Sequence, residues 1–148
     1  KDKEAKELIQ KMQQDIEEIT AKVKSIPQEQ RPKVFIEIWH EPLMTAGRGS
    51  FIDELVTLAG GINIANDTRR SYSVFSQEEV LKRNPDCIIL GYMDKETPMH
   101  IMQRRLGWKD ISAVKNNRVY NDINSDLLFR PGPRVVQGLK EIHKRLYP

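Results

Sequence analysis

"KVFIEIWHEPLMTAGRGSFIDELVTLAGGINIA", residues 33–65, runs from an apolar stretch through a glycine-rich turn into a helix-forming stretch, then through glycines into a second apolar stretch. The first run, "KVFIEIW" (33–39), is built from β-branched and aromatic residues that suit a strand. Ser50 stands where an N-cap belongs, and Asp53 three residues later completes a capping-box-like S-x-x-D. At the other end "AGG" (59–61) supplies a glycine C-cap before the strand-like "INIA" (62–65). A strand, a covering helix and a second strand in this order read as a parallel pair with a helical crossover.

The alternation continues outward. "DCIILGY" (86–92) and "RVYNDI" (118–123) read as strands, and helices are predicted at 50–59, 77–83, 98–105 and 132–146. The last helix puts Val135, Leu139, Ile142 and Leu146 on one face. The pattern predicts an α/β fold, a three-layer sandwich in which a mostly parallel sheet is flanked by helices. Upstream, Ala5, Ile9, Met12, Ile16, Ile19, Val23 and Ile26 recur at alternating four- and three-residue spacing, which predicts one long amphipathic helix over 1–26. Pro27 and Pro32 bound a short linker, 27–32, and residues 33–148 form the α/β unit. The same spacing suits a coiled coil, so self-association through residues 1–26 is a competing expectation.

Bulk properties exclude several classes. A chain of 148 residues with 39% hydrophobic and 30% charged content is a globular domain, and no apolar run approaches the ~18 residues of a membrane span. The net charge of +3 comes from 24 basic and 21 acidic residues scattered along the chain, which gives nucleic-acid binding little support. Cys87, the only cysteine, lies inside "CIIL", where a buried inert thiol is expected and no internal disulfide can form. No zinc-type histidine spacing is present, so no metal ligands are assigned. The opening "KDKEAKEL" has neither an initiator Met nor an apolar signal core, and the chain is expected to be a piece of a longer protein.

The glycine turn "TAGRGSF" (45–51) fails as a phosphate loop, because Gly47 and Gly49 have neither the five-residue spacing nor the following Lys-Ser/Thr. Its position after a strand is more informative, because ligands in open parallel sheets bind beyond the carboxyl ends of the strands. The residues expected there are Trp39, His40, Glu41, Met44 and Arg48, then Tyr72 and Phe75, Tyr92 and Met93, and Asp122, Phe129 and Arg130. Aromatics, Met and Arg without a nucleophile–base pair suit the binding of a large, partly flat ligand rather than catalysis. No catalytic residue is assigned.

In order along the chain, "FIEIWHEPLMTAGRGSFIDELVTLAGGINIA", "YSVFSQEEVLKRNPDCIIL", "W..I.AVKNNRVY" and "FRPGPRVVQGLKEIHKRL" resemble the C-terminal lobe of the helical-backbone substrate-binding proteins of ABC importers. That class captures cobalamin, ferric siderophores and haem. Residues 1–26 then resemble the rigid helix joining its two lobes. The resemblance implies half of a two-lobed clamp on the periplasmic or extracellular face of the membrane, with a lipid anchor left open and a membrane permease as partner. Cobalamin is the preferred ligand, followed by a ferric siderophore and then haem; no cofactor is expected. Two residues carry over by position: Tyr72, an aromatic preceding the "SQEEV" helix start, lines the pocket, and Glu78 in the first turn pairs with arginines of the permease. The ligand-binding set is therefore Trp39, His40, Met44, Tyr72, Tyr92, Phe129 and Arg130, with Glu78 for docking.

Independently of the resemblance, Ser76 as N-cap draws Glu79 back in a capping box and leaves Glu78 outward near the positive helix end. The competing enzyme reading uses His40 and Glu41 as an acid–base pair, but adjacent strand residues point to opposite sides and no third group is evident to orient His40. His100 and His143 are expected at the surface. Glu37 is awkward in a doubly covered sheet and implies either a buried, paired carboxylate or an uncovered edge.

Overall fold

The computed structural model describes residues 2–148. Helix α1 (Asp2–Lys24) leads to a short turn and then to β1 (Lys33–His40), β2 (Leu43–Ala46) and α2 (Phe51–Leu58). Next come β3 (Ile62–Asn63), β4 (Tyr72–Val74), α3 (Gln77–Arg83), β5 (Cys87–Leu90) and α4 (Pro98–Gln103). The chain closes with α5 (Ser112–Lys115), β6 (Val119–Tyr120), α6 (Ser125–Phe129) and α7 (Val135–Leu146). The fold is α/β with a long N-terminal helix, and its sheet is mixed. The order is β4-β2-β1-β5-β6, with β3 pairing to the amino end of β1 through Lys33–Ile62 and Val34–Asn63.

The four runs expected as strands are all strands, and they run parallel, β1 with β3 and β5, and β5 with β6. What the apolar pattern missed is the antiparallel edge made by β2 and β4. Both are short, and "SYSVF" is half polar, so neither reads as a buried strand. The chain reverses at Glu41–Pro42, a cis peptide, and β2 runs back along β1 with Glu37 opposite Thr45 and His40 opposite Leu43.

That reversal corrects the placement of the glycine turn. Gly47 and Arg48 follow β2 back toward the amino end of β1, so they lie at the opposite end of the sheet from Trp39 and His40. Arg48 borders a polar groove there with Asp53, Asn63 and Asn66, away from the carboxyl-end crevice. The helix start itself is as read: the Ser50 hydroxyl accepts from the Asp53 amide at 3.2 Å, and Gly60 beyond the far end of α2 has φ +97°. The helix expected over 132–146 begins at Val135 as α7, α6 at Ser125–Phe129 is an additional helix separated from it by residues 130–134, and α4 stops at Gln103.

Alternate residues of the central strands feed two cores, which is why both faces of β1 and β5 are apolar. Val34, Ile36, Cys87 and Ile89 pack under α1, α2, α6 and α7 with Ile19, Leu55, Leu128, Leu139 and Ile142. Phe35, Ile88 and Leu90 pack on the other face with Val80, Met102, Trp108 and Val114. Each such side chain contributes roughly 1.5–3 kcal/mol by leaving water. Helix α1 buries only Ile19 and Val23, while Leu8 and Ile9 in its first half are exposed.

Candidate functional site: an aromatic cleft above a buried ion pair

At the carboxyl ends of β1 and β5 three rings meet. Trp39 and His40 lie 4.4 Å apart between ring centroids, and Tyr92, just beyond β5, is 5.4 Å from Trp39 and 5.3 Å from His40. Trp39 is 44% exposed, so it belongs to the surface and not to the core. Its indole Nε1–H donates to the Glu41 carbonyl at 3.1 Å, which holds the ring across the hairpin.

Beneath the rings lies Glu37, fully buried and paired, which settles its awkward place in the strand. Arg105 donates to both carboxylate oxygens at 2.7 and 2.9 Å, and the Tyr92 hydroxyl donates to Oε2. The guanidinium also stacks on Trp108, 4.4 Å from the ring centroid. Burial first, and then the Glu37 carboxylate, push the Tyr92 phenol well above its ordinary range, so it stays a donor. For Arg105 burial is the largest single influence and pulls downward, but the hydrogen bonds to Glu37, the Glu37 charge and Tyr92 together outweigh it, and the guanidinium remains charged.

Next to this cluster a depression of about 370 Å³ opens along Leu90–Met93 and Asn121–Ser125. Phe129 is half-buried on its first-core side, and a Cβ placed on Gly91 would come within 2.5 Å of the ring. Arg130 has the extended backbone expected before Pro131, φ −117° and ψ 111°; its side chain is 80% exposed and lies 3.5 Å from Asp126. The carboxyl end of the sheet therefore brings Trp39, His40, Tyr92, Phe129 and Arg130 to one end of the molecule.

Met44 and Tyr72 lie on the antiparallel edge next to this cluster. Met44 pairs with Val74 and Ala46 with Tyr72, so Met44, Val74 and Tyr72 share one face of the antiparallel edge. Tyr72 and Val74 are exposed there. In sheet order β4 lies three strands from β5, about 14 Å at the usual spacing. Met44, directly opposite Trp39 in the β1–β2 register, joins this face to the aromatic cluster. Glu78 is exposed in the first turn of α3, and the Ser76 hydroxyl accepts from the Glu79 amide at 3.3 Å. The Glu79 carboxylate, however, turns to Arg83 at 2.9 Å instead of folding back to the cap.

The acid–base alternative lacks its geometry. His40 Nε2 is 4.0 Å from the Asp94 carboxylate, beyond hydrogen-bond reach, and Glu41 lies in the hairpin turn. His100 is exposed as expected, 3.1 Å from Glu96; His143 is half-buried instead, with Nδ1 2.8 Å from the Ala59 carbonyl, because α7 packs it against the end of α2. No cluster of three or more metal-ligating side chains occurs among the described residues. Arg105 and Asp94 escaped sequence reading because each looks like an ordinary surface charge; only the misfit of Glu37 hinted at a buried partner.

The periplasmic binding protein family matches residues 1–124. The chain is 33% identical over 148 residues to an uncharacterised ABC transporter substrate-binding lipoprotein of Bacillus subtilis, covering 99% of this chain and 46% of that protein. It is 29% identical over 114 residues to the vitamin B12-binding protein of Vibrio cholerae, covering 74% of this chain and 38% of the relative. The chain thus spans less than half the length of these curated relatives. Among solved structures, a possible iron-binding periplasmic solute-binding protein of Staphylococcus epidermidis superposes with a TM-score of 0.82 at 30% identity, covering 99% of this chain and 56% of that one. The periplasmic haem-binding protein of Vibrio cholerae shares the fold with a TM-score of 0.84 at 24% identity, covering 99% and 58%. With more than half of its length matched and the same α/β lobe in solved relatives, this chain belongs to the periplasmic binding protein family.

Proposed function

We propose that the chain is the C-terminal lobe of the substrate-binding component of an ABC importer, capturing a metal chelate outside the cytoplasm and handing it to a membrane permease. The observation that carries this reading is the ring cluster of Trp39, His40 and Tyr92 at the carboxyl end of the sheet, with Met44 opposite Trp39 and an open depression running on from Tyr92, which offers stacking surfaces but no oriented nucleophile or base. Cobalamin is the preferred ligand, a ferric siderophore the next and haem the third; the B12-binding relative supports the first choice. The second lobe, lying N-terminal to α1, closes the other side of the cleft. The first half of α1, with Ile9 of the apolar stripe and the neighbouring Leu8 exposed, is where that lobe or a second copy of the isolated chain packs. The cargo is ligand and not cofactor, and no catalytic step is assigned.

Glu78 is the docking carboxylate in this reading, exposed at the positive end of α3 with Glu79 held away by Arg83. The test is a titration of the full gene product, with this chain alone as control, against cyanocobalamin, a ferric siderophore panel and haemin by tryptophan fluorescence and calorimetry. Tight saturable binding to one of them by the full product, weak or absent in the lobe, supports the clamp; no binding to any refutes it. Reversal of charge at Glu78 should then lower ligand-stimulated transport in reconstituted vesicles and leave affinity unchanged.

A further inference from the structure

The Glu37–Arg105 pair lies 68 positions apart in sequence, spans the core between β1 and the turn after α4, and carries a third group, the Tyr92 hydroxyl. Its place is costly. Glu37 has no exposed surface and the Arg105 side chain is only 10% exposed, and two charges taken this far from water must be held in good geometry to break even against a hydrophobic pair. A carboxylate with two oxygens needs no tyrosine to neutralise it once a guanidinium donates to both. The phenol is an additional bond, and it ties the ion pair to a ring that borders the cleft.

The geometry at the other end of the ring explains what the tie does. Tyr92 follows β5 and has no strand partner of its own, since the pairing of β5 with β1 ends at Leu90–Glu37. Side-chain contacts orient it: packing on the second core, the edge-on approach of Trp39 at an interplanar angle of 64°, the tilted face of His40, and the hydroxyl held from below. The hydroxyl bond is the polar contact that fixes the ring's far end, and the ring borders the depression lined by Met93 and Asn121–Ser125. Arg105 is fixed in turn by Trp108, which is fully buried among the second core cluster. Packing in that core is therefore transmitted through Arg105 and Glu37 to the shape of the cleft wall.

We propose that Glu37 and Arg105 are positioning residues for the ligand cleft: touching no ligand themselves, they hold Tyr92 against Trp39 and His40 and thereby set which planar or bulky chelate the wall accepts. The inference rests on the reading of that cleft as the ligand site. Its effect should appear as a change in preference among ligands, because a misplaced ring alters shape complementarity rather than net attraction.

The test uses the full gene product with three changes: Tyr92→Phe, the paired replacement Glu37→Leu with Arg105→Met, and the two combined. The paired replacement avoids the orphaned charge that a single change would leave, so the variant retains its fold. Two readouts are taken. The first, without ligand, is the Trp39 indole N–H resonance in tryptophan-labelled protein, identified by its loss in Trp39→Phe. The second is affinity for cyanocobalamin, ferrichrome and haemin. Both Tyr92→Phe and the paired replacement should move the Trp39 resonance, weaken the preferred probe by about threefold or more, roughly one hydrogen bond's worth, and narrow its margin over the others. The combined variant should lose no more than the worse of the two, since both remove the same constraint. Multiplying losses, or wild-type affinity and preference in the paired replacement, would overturn the proposal. If wild-type protein binds no probe, the ligand-site reading fails separately, and the resonance alone decides whether the pair positions Tyr92: an unmoved signal overturns it.

Discussion

Replacing Gly47 by alanine should be the most damaging single-methyl change at the glycine turn, and the structure says why. The turn passes directly against the chain that leads into β4: the Gly47 amide donates to the Ser71 carbonyl at 3.2 Å and the Arg48 amide to the Thr68 carbonyl at 2.7 Å. A Cβ on Gly47 would lie 2.3 Å from the Arg70 carbonyl oxygen and 2.5 Å from that of Thr68, against an ordinary carbon–oxygen contact of about 3.3 Å. Both opposing atoms are backbone, so no side chain can swing aside, and one segment must retreat by about 1 Å. Overpacking of this kind costs about 1–3 kcal/mol, and a backbone–backbone clash belongs at the upper end, about 3 kcal/mol. For a chain of this size that is a fall in Tm of about 6–12 °C.

Gly49, two residues on, is the internal comparison. Its φ of +89° penalises any side chain, but an added Cβ meets nothing within 4 Å, so Gly49→Ala should cost only the backbone penalty of about 1–2 kcal/mol. Urea unfolding followed by far-UV circular dichroism gives the two stabilities, and amide hydrogen exchange locates the damage. In Gly47→Ala, protection should fall first in residues 68–74, where β4 is pushed from β2, and hold in β1 and β5. A Gly47→Ala variant as stable as Gly49→Ala, or exchange that rises evenly across the sheet, would refute the reasoning.

Three further outcomes can be checked. Gly91→Ala sets a methyl 2.5 Å from Phe129 Cζ, but the ring can pivot, so stability should drop by only about 1 kcal/mol in a urea melt while cleft affinity, read by ligand titration, falls more clearly. The hydrogen bond from Arg145 holds the Asp122 carboxyl below the ordinary aspartate range, so the pair adds stability above that range and loses it as pH falls through the lowered value. Asp122→Asn should flatten the acid limb of a stability–pH curve, by less than about 1 kcal/mol because the carboxylate is largely exposed. Burial pushes the Cys87 thiol up to about 12, so an aromatic disulfide reagent at pH 8 should label it only after denaturant is added; rapid labelling of folded protein would contradict its place in the core.

Features that depend on near neighbours were legible from the residues alone. Strand runs at β1, β3, β5 and β6, the Ser50 and Ser76 caps, the glycine stop after α2 and the long amphipathic α1 each follow from residues within a few positions of one another, where periodicity and capping chemistry operate. The parallel core followed as well, because both faces of β1 and β5 had to be apolar. How these pieces meet depends on the folded chain as a whole. The reversal at Glu41–Pro42 carried the glycine turn to the far end of the sheet, and β2 and β4 became strands only because each borrows hydrogen bonds from a neighbour along a sheet edge. Glu37 announced a misfit, but its resolution lay in Arg105 and Tyr92, 68 and 55 positions away, and no local pattern encodes a partner at such a distance. Side-chain type and spacing constrain short-range geometry strongly; which buried charge finds which donor depends on the packing of the whole core.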